Sequence, residues 1–204
     1  MHGCTPIDGA YHTITAIDGA SILELNGQPV VDVINELYGN AEWQAQRPVV
    51  SLLTIGVNRG ERYGTFDGSS YVNRLITGVL PNGTGIGIFE PDLSEGDEIQ
   101  FMIRDSGKMI ESARMNTEEL LLQIAADGRT PMFGLYIDCA GRTARESNTL
   151  TEEAAKVQNL LNRQGIPLLG FYSGVEIAPL LDRNRGLDWT GVLLMLTSDG
   201  NMDG

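Results

Sequence analysis

Two segments in the second half of this chain constrain its fold more than any other feature. One is an apolar run at residues 132–137 that leads into Asp138-Cys-Ala-Gly-Arg142, and the other is Leu168-Leu-Gly-Phe-Tyr-Ser-Gly-Val-Glu176. Each begins as a strand-like run and ends in glycine with an ionisable side chain. Side chains at the ends of strands commonly contact ligands. We therefore expect Cys139, Arg142 and Glu176 to lie at strand ends, facing a ligand.

The remaining patterns predict an α+β protein with an antiparallel-rich mixed β-sheet system, in one or two stacked sheets, and about three packed helices. Asn26-Gly27 predicts a turn, Pro29 a helix start, and Gly39 the end of that helix. A strand-helix-strand pattern over residues 131–172 predicts a parallel pair within this system. Strands are predicted at residues 20–25, 49–57, 71–80, 84–89, 99–104, 132–137, 167–172 and 191–197.

Two capping-box patterns predict the later helices: Asn116 with Glu119, and Thr149 with Glu152. The alternation of apolar and polar residues over residues 99–104 is typical of a strand with one buried face. It predicts that Ile103 is buried and that Arg104 either faces outward or is ion-paired.

Composition excludes several classes of partner. The chain has 204 residues and a formal net charge of −13, so its surface repels nucleic-acid phosphates and anionic lipids. No apolar run approaches the length of about 20 residues that a membrane-spanning helix needs. Two distant cysteines lack zinc-ligand spacing and suit a reducing cytoplasm, so we expect a cytoplasmic protein without a metal.

Each candidate residue also has a purely structural interpretation. Cys139 could be a small buried thiol, could line a pocket, or, with a base that the sequence does not identify, could act as a nucleophile. Arg142 could bind a ligand carboxylate or phosphate, or could form a surface ion pair with Glu146 or Glu153.

Glu176 could bind a ligand amine or simply face water, and two aromatic residues, Phe171 and Tyr172, lie close to it in sequence. Aromatic walls with a few polar anchors are typical of a ligand pocket. An amino acid would suit Arg142 for its carboxylate and Glu176 for its amine. The chain is therefore expected to bind a small molecule and not to be an enzyme.

The segments together resemble the FIST C domain family. The resemblance rests on five segments in the family's order: Ile22–Val33, Tyr71–Val79, Glu95–Asp105, Cys139-Ala-Gly-Arg142 and Gly170–Pro179. His2-Gly-Cys-Thr-Pro6 is similar to the junction with an upstream FIST half. Two departures from the family pattern are Val175, which interrupts Gly-Glu, and Leu187-Asp-Trp-Thr190, which stands where the family often has Asn-x-Thr.

This resemblance implies a cytoplasmic sensory domain of bacterial signal transduction that binds amino acids or similar metabolites. It implies a junction segment at residues 1–18, the domain at 19–198 and a flexible tail at 199–204. It also implies a histidine kinase, a cyclase or a chemotaxis-type transducer as output partner. Some relatives bind haem, for which His2 and His12, in an N-terminus expected to be loose, are the candidates. A haem-based sensor, a ligand-free interaction module and a Cys139 thiol hydrolase are the alternatives.

Overall fold

The chain forms two compact units in a computed structural model that describes residues 2–46, 50, 53–181 and 183–199. The N-terminal unit is Cys4–Arg104, and the C-terminal unit comprises the described residues after position 104 together with His2 and Gly3. Three α-helices and a mainly antiparallel set of strands in these residues confirm the predicted α+β class. The domain limits at residues 18/19 and 198/199 stay a prediction, and the predicted tail lies outside the described residues except for Asp199.

The N-terminal unit is an antiparallel sheet with one helix. Its strands follow the order β6-β5-β9-β2-β3-β8-β7, with β1 beside β9 and β4 beside β3. The elements are β1 (Cys4–Pro6), β2 (His12–Asp18), β3 (Ser21–Leu25), β4 (Gln28–Pro29), α1 (Val30–Tyr38), β5 (Leu53–Asn58), β6 (Tyr71–Arg74), β7 (Ile76–Val79), β8 (Ile86–Ile88) and β9 (Glu98–Arg104).

The first helix forms as predicted. Asn26 and Gly27 have φ of 53° and 77°, the left-handed pair that a two-residue hairpin turn requires between β3 and β4. Pro29 precedes the first helical residue, and Gly39 closes α1 with φ 71°. The predicted strand at 49–57 is described from Leu53 onward, and residues 49, 51 and 52 lie outside the described residues.

The one-sided burial predicted for β9 is wrong. Gln100 and Met102 are buried together with Phe101, whereas Ile103 is 45% exposed and Arg104 is buried. The reason is tertiary packing on both faces of β9. Tyr71 packs with Gln100 and Met102 on one face, and His12 packs against Phe101 on the other. The predicted strand at 71–80 is divided into β6 and β7, which Leu75 separates.

The C-terminal unit is built around one long strand, β10. This strand pairs in parallel with β11 and antiparallel with β14, while β12 and β13 form a separate hairpin, so the described strands of the chain make three hydrogen-bonded sheets. The elements are α2 (Ser106–Ala126), β10 (Arg129–Cys139), α3 (Glu153–Arg163), β11 (Leu168–Ser173), β12 (Glu176–Leu180), β13 (Arg183–Leu187) and β14 (Gly191–Asp199). The β10-α3-β11 unit confirms the predicted parallel pair.

Both capping predictions for the later helices are wrong. Helix α2 begins ten residues before Asn116, because the Asp105 side chain accepts the Lys108 N–H and caps an earlier start. Asn116 lies inside the helix and donates to the Ser112 carbonyl. Helix α3 begins at Glu153, and Thr149 instead donates to the carbonyl of Thr151.

Helices α2 and α3 cover one face of β10. Their shared core is formed by Ala113, Leu121, Tyr136, Val157, Leu161 and Ile166. This packing fixes the carboxyl end of β10, where the sequence motif around Cys139 begins. None of the helices in the described part of the chain is long and apolar enough to cross a lipid bilayer.

Candidate functional site

The two motif segments meet at one edge of the sheet in the C-terminal unit. Because β10 and β11 are parallel, Asp138 lies beside Tyr172, and Cys139 lies beside Ser173. The chain after each strand therefore leaves the sheet on the same side, and the residues that follow can meet there.

Arg142 occupies the centre of this edge and is fully buried. Its Nε donates to Glu153 Oε2 at 2.9 Å, its Nη2 contacts Glu153 Oε1, and its Nη1 donates to the Trp189 carbonyl at 2.6 Å. Asp138 lies 3.3 Å from Nε. Burial alone would lower the pKa of Arg142, but Glu153 and the neighbouring acidic groups outweigh it and raise the pKa. The sequence identified Glu153 as a partner, but the pair lies in the interior and not on the surface.

The indole of Trp189 leaves no room for a side chain at position 141, so this residue is glycine. A Cβ at position 141 would lie 1.9 Å from Trp189 Cζ3. Trp189 itself has φ 55°, a left-handed conformation that is uncommon for a side chain of this size. The bond from Arg142 to the Trp189 carbonyl helps to hold this conformation.

Glu176 is a buried carboxylate with uneven hydrogen bonding. Its Oε1 accepts from Ser173 Oγ at 2.9 Å, whereas its Oε2 has no hydrogen-bond partner among the described residues. Burial raises the pKa of Glu176 to about 7; the carboxylates of Asp138 and Asp188 add to this, and the Ser173 bond and Arg142 oppose it. An unsatisfied buried oxygen is costly, so a donor from a ligand would stabilise this carboxylate.

Asp138 belongs to the same acidic group. Burial and the carboxylate of Glu153 raise the pKa of Asp138 to about 7, although Arg142 opposes the shift. Within the described residues, no three histidine, cysteine or acidic side chains are arranged to hold a metal ion.

The other predicted site residues divide between the two faces of the sheet. Cys139 is buried, and burial raises the pKa of its thiol. Tyr172 is 41% exposed and donates to Glu152 Oε2 at 2.8 Å. Phe171, 53% exposed, precedes Tyr172 on edge strand β11 and points to the opposite face. The structure therefore brings Cys139, Arg142, Tyr172 and Glu176 close together and leaves Phe171 apart.

The expectation of a loose N-terminus is wrong for His12. His12 is the first residue of β2, its ring packs against Phe101 at 5.4 Å between centroids, and burial lowers its pKa. His2 precedes β1, which pairs with β9. A haem-binding role for either histidine stays a prediction.

A cavity of about 630 Å³ in the N-terminal unit was missed by sequence reasoning. Its lining includes Tyr11, Asn58, Arg62, Phe66, Tyr71 and Gln100. Two signals in the sequence point to it. Polar Asn58 and Gln100 interrupt apolar strands, and the connection between β5 and β6, residues 59–70, is rich in glycine and carries exposed aromatic residues.

Comparison with known proteins identifies a family whose sequence model this chain matches. The family model described as FIST C domain matches residues 31–179. An uncharacterised protein of Mycobacterium tuberculosis strain H37Rv is 30% identical over 182 residues, 89% of this chain and 46% of that protein. An uncharacterised protein of Mycobacterium bovis is 28% identical over 197 residues, 97% of this chain and 49% of that protein. The chain thus spans about half the length of these curated relatives. No solved structure matches it.

Proposed function

This chain belongs to the FIST C domain family, and we propose that it is the small-molecule-binding part of a bacterial signal-transduction protein, with its ligand in the cavity of the N-terminal unit. The family is sensory and in general non-catalytic. A cytoplasmic location and a kinase, cyclase or chemotaxis-type output partner are parts of the same proposal.

The cavity is the observation that carries this proposal. Its volume of about 630 Å³ lies within the range of about 300 to 1,000 Å³ that is usual for small-ligand pockets. Phe66, Tyr11 and Tyr71 supply aromatic surface, and Asn58 and Gln100 supply amide groups. The sequence analysis expected aromatic walls with polar anchors at Phe171, Tyr172, Arg142 and Glu176; the cavity has a similar composition but is built from other residues.

The edge at Cys139, Arg142, Tyr172 and Glu176 is a second candidate for the ligand contact. Glu176 Oε2, buried and without a hydrogen-bond partner in the described residues, favours an amine donor there. Arg142 already donates to Glu153 and Trp189, so an amino acid carboxylate would have to displace an internal partner to reach it. An amine-bearing metabolite held by Glu176 is therefore the form of this proposal that the contacts support.

A thermal-unfolding screen of the purified chain against a metabolite library tests the proposal. A ligand at about a hundred times its dissociation constant adds about 2.7 kcal/mol to the free energy of unfolding, a shift of a few degrees in Tm. Each hit is then repeated on two variants with a phenylalanine truncated at the surface of the N-terminal unit. Phe66→Ala lies at the cavity, and Phe89→Ala, similarly exposed, lies outside it.

The proposal expects the shift to be clearly smaller in Phe66→Ala and to persist in full in Phe89→Ala. A third variant, Glu176→Gln, tests the second candidate site. If the shift of a hit is lost only in Glu176→Gln, the ligand binds at that second site. If the library gives no hit while the chain forms a defined complex with an output protein, it is an interaction module and the proposal is wrong.

A further inference from the structure

The chemistry of the cavity narrows the class of ligand, on the assumption from the proposed function that the cavity is a ligand site. Its floor is a set of uncharged polar groups in fixed orientations. Tyr71 Oη donates to Gln100 Oε1 at 2.5 Å, and both residues are buried. Because Oε1 accepts from the phenol, the Nε2 amino group remains as the donor of Gln100.

A second polar pair lies beside the first. Asn58 Nδ2 donates to Tyr11 Oη at 2.8 Å and to the Glu61 carbonyl at 3.1 Å, and Asn58 Oδ1 accepts from the Gly60 N–H at 2.8 Å. Tyr11 in turn donates to the Arg62 carbonyl at 3.2 Å. The amide of Asn58 and the phenol of Tyr11 are thus held in place before any ligand binds, which lowers the entropic cost of binding.

The walls are aromatic. The rings of Phe66 and Tyr71 lie 5.3 Å apart between centroids at an interplanar angle of 47°, and Phe66 is 44% exposed at the cavity. An exposed phenylalanine beside a polar floor offers a flat surface on which a planar ring can stack.

The charges at the cavity disfavour an anionic ligand. Arg62 is the cation among the described lining residues; it pairs with Glu98 at 2.6 Å and lies over the Tyr11 ring at 4.9 Å. Two acidic residues, Glu61 and Asp67, also line the cavity, and Asp67 accepts from Ser69 and Ser70. The chain as a whole carries a net charge of −13. A phosphate or carboxylate would meet this negative field and an arginine that is already paired.

We propose that this cavity binds an uncharged, planar heteroaromatic compound of nucleobase or nucleoside type. Its ring stacks on Phe66, and an acceptor at its edge pairs with the Nε2 amino group of Gln100. Recognition of a flat, polar and neutral ring by stacking and an amide contact fits the aromatic and uncharged polar groups of the cavity wall. It differs from the amino acid expected from the sequence, whose carboxylate would need a cation, whereas Arg62 is already paired with Glu98.

Calorimetric titration of the whole chain with adenosine, uridine, AMP, L-phenylalanine and D-glucose tests this class. At least one nucleoside should bind saturably at one site. AMP should bind at least about ten times more weakly than adenosine if adenosine is the ligand, because its phosphate is repelled. Phe66→Ala should weaken nucleoside binding about tenfold or more, as expected for loss of one base–aromatic stack.

Two further variants complete the test. Tyr71→Phe keeps the ring and removes the hydroxyl that orients Gln100, so nucleoside affinity should fall several-fold. Phe89→Ala should leave affinity unchanged. Nucleoside binding that Phe66→Ala does not weaken would overturn the proposal. If no nucleoside binds but a sugar or amino acid loses affinity in Phe66→Ala, the ligand class is wrong and the proposed function stands. If no compound from this set or the library depends on Phe66, both proposals fall.

Discussion

Arg142 and Glu153 form a fully buried ion pair with two contacts, at the end of the sheet where the motif segments meet. Tyr136 adds a third bond to the same carboxylate, from its hydroxyl to Oε1 at 2.7 Å. One guanidinium thereby connects strand β10, the start of α3 and the Trp189 carbonyl. Arg142 therefore supports the local structure of the C-terminal unit.

Removal of Arg142 should be strongly destabilising. Arg142→Ala leaves Glu153 buried without its cation, which typically costs about 3 to 5 kcal/mol of unfolding free energy. Urea denaturation followed by circular dichroism measures this loss. Arg114→Ala is the control, because Arg114 pairs with Glu111 and Glu118 on the solvent side of α2 and its loss should have a far smaller effect. Equal effects of the two substitutions would contradict a buried Arg142.

The glycine of the Cys-x-Gly-Arg motif should not tolerate a methyl group. Gly141→Ala would force a Cβ into the Trp189 ring, and overpacking of this kind typically costs about 1 to 3 kcal/mol. Gly174→Ala is the matched control in the second motif, because a Cβ there meets nothing within 4 Å. The same denaturation experiment compares the free energies of unfolding of the two variants. A Gly141→Ala variant as stable as the unmodified chain would show that the indole lies elsewhere in solution.

Turns and helix ends were predictable where the residues that determine them are adjacent in sequence. Asn26-Gly27 and Gly39 occupy positions that require left-handed backbone, so the turn and the end of α1 follow from the residue types. The predicted start of α2 was wrong because Asp105 caps an earlier start than Asn116. The predicted capping box of α3 was wrong because the Glu152 side chain makes no cap hydrogen bond and instead accepts from Ala144 N–H and the Tyr172 hydroxyl.

Burial and the cavity depend on contacts that are distant in sequence. From the sequence alone, Gln100 is expected to face solvent. In the structure it is buried, because Tyr71, 29 positions earlier, donates to it across the sheet. Arg142 is likewise expected at the surface from the sequence alone, whereas α3 covers it in the structure. The motif predicted that Cys139, Arg142 and Glu176 come together, but it held no information on the cavity, which is lined by residues of β5, β9 and the connection 59–70.

The buried acids should make stability depend on pH. Because burial raises the pKa of Glu176 and Asp138 to about 7, these groups hold protons in the folded state that they lose in the unfolded state above about pH 4 to 5. The free energy of unfolding should therefore fall as the pH rises from about 4.5 to 7 and then level off.

Glu176→Gln should flatten this fall in part, since glutamine does not ionise and Asp138 remains. Urea denaturation at pH 5 and pH 8 gives the difference for each protein, and Glu119→Gln on the exposed side of α2 is the control. A Glu176→Gln variant with the pH dependence of the unmodified chain would show that Glu176 titrates in the ordinary range.

Both thiols should react slowly. Cys4 and Cys139 are buried, and burial raises the pKa of Cys139, which lowers its thiolate fraction at neutral pH. Titration with a thiol reagent at pH 7.5 should show little reaction before denaturant is added and two equivalents afterwards. Rapid modification of Cys139 in the folded protein would instead favour the nucleophilic role considered from the sequence.

The central claim is that the chain binds its small-molecule ligand in the cavity of the N-terminal unit. Backbone amide NMR spectra of the chain, recorded during titration with the tightest compound from the screen, test it most directly. We expect saturable shifts concentrated at Tyr11, Asn58, Phe66, Tyr71 and Gln100, and in Phe66→Ala we expect the remaining shifts to need a higher ligand concentration. Shifts confined to Cys139, Ser173 and Glu176, with the cavity residues unaffected, would contradict it.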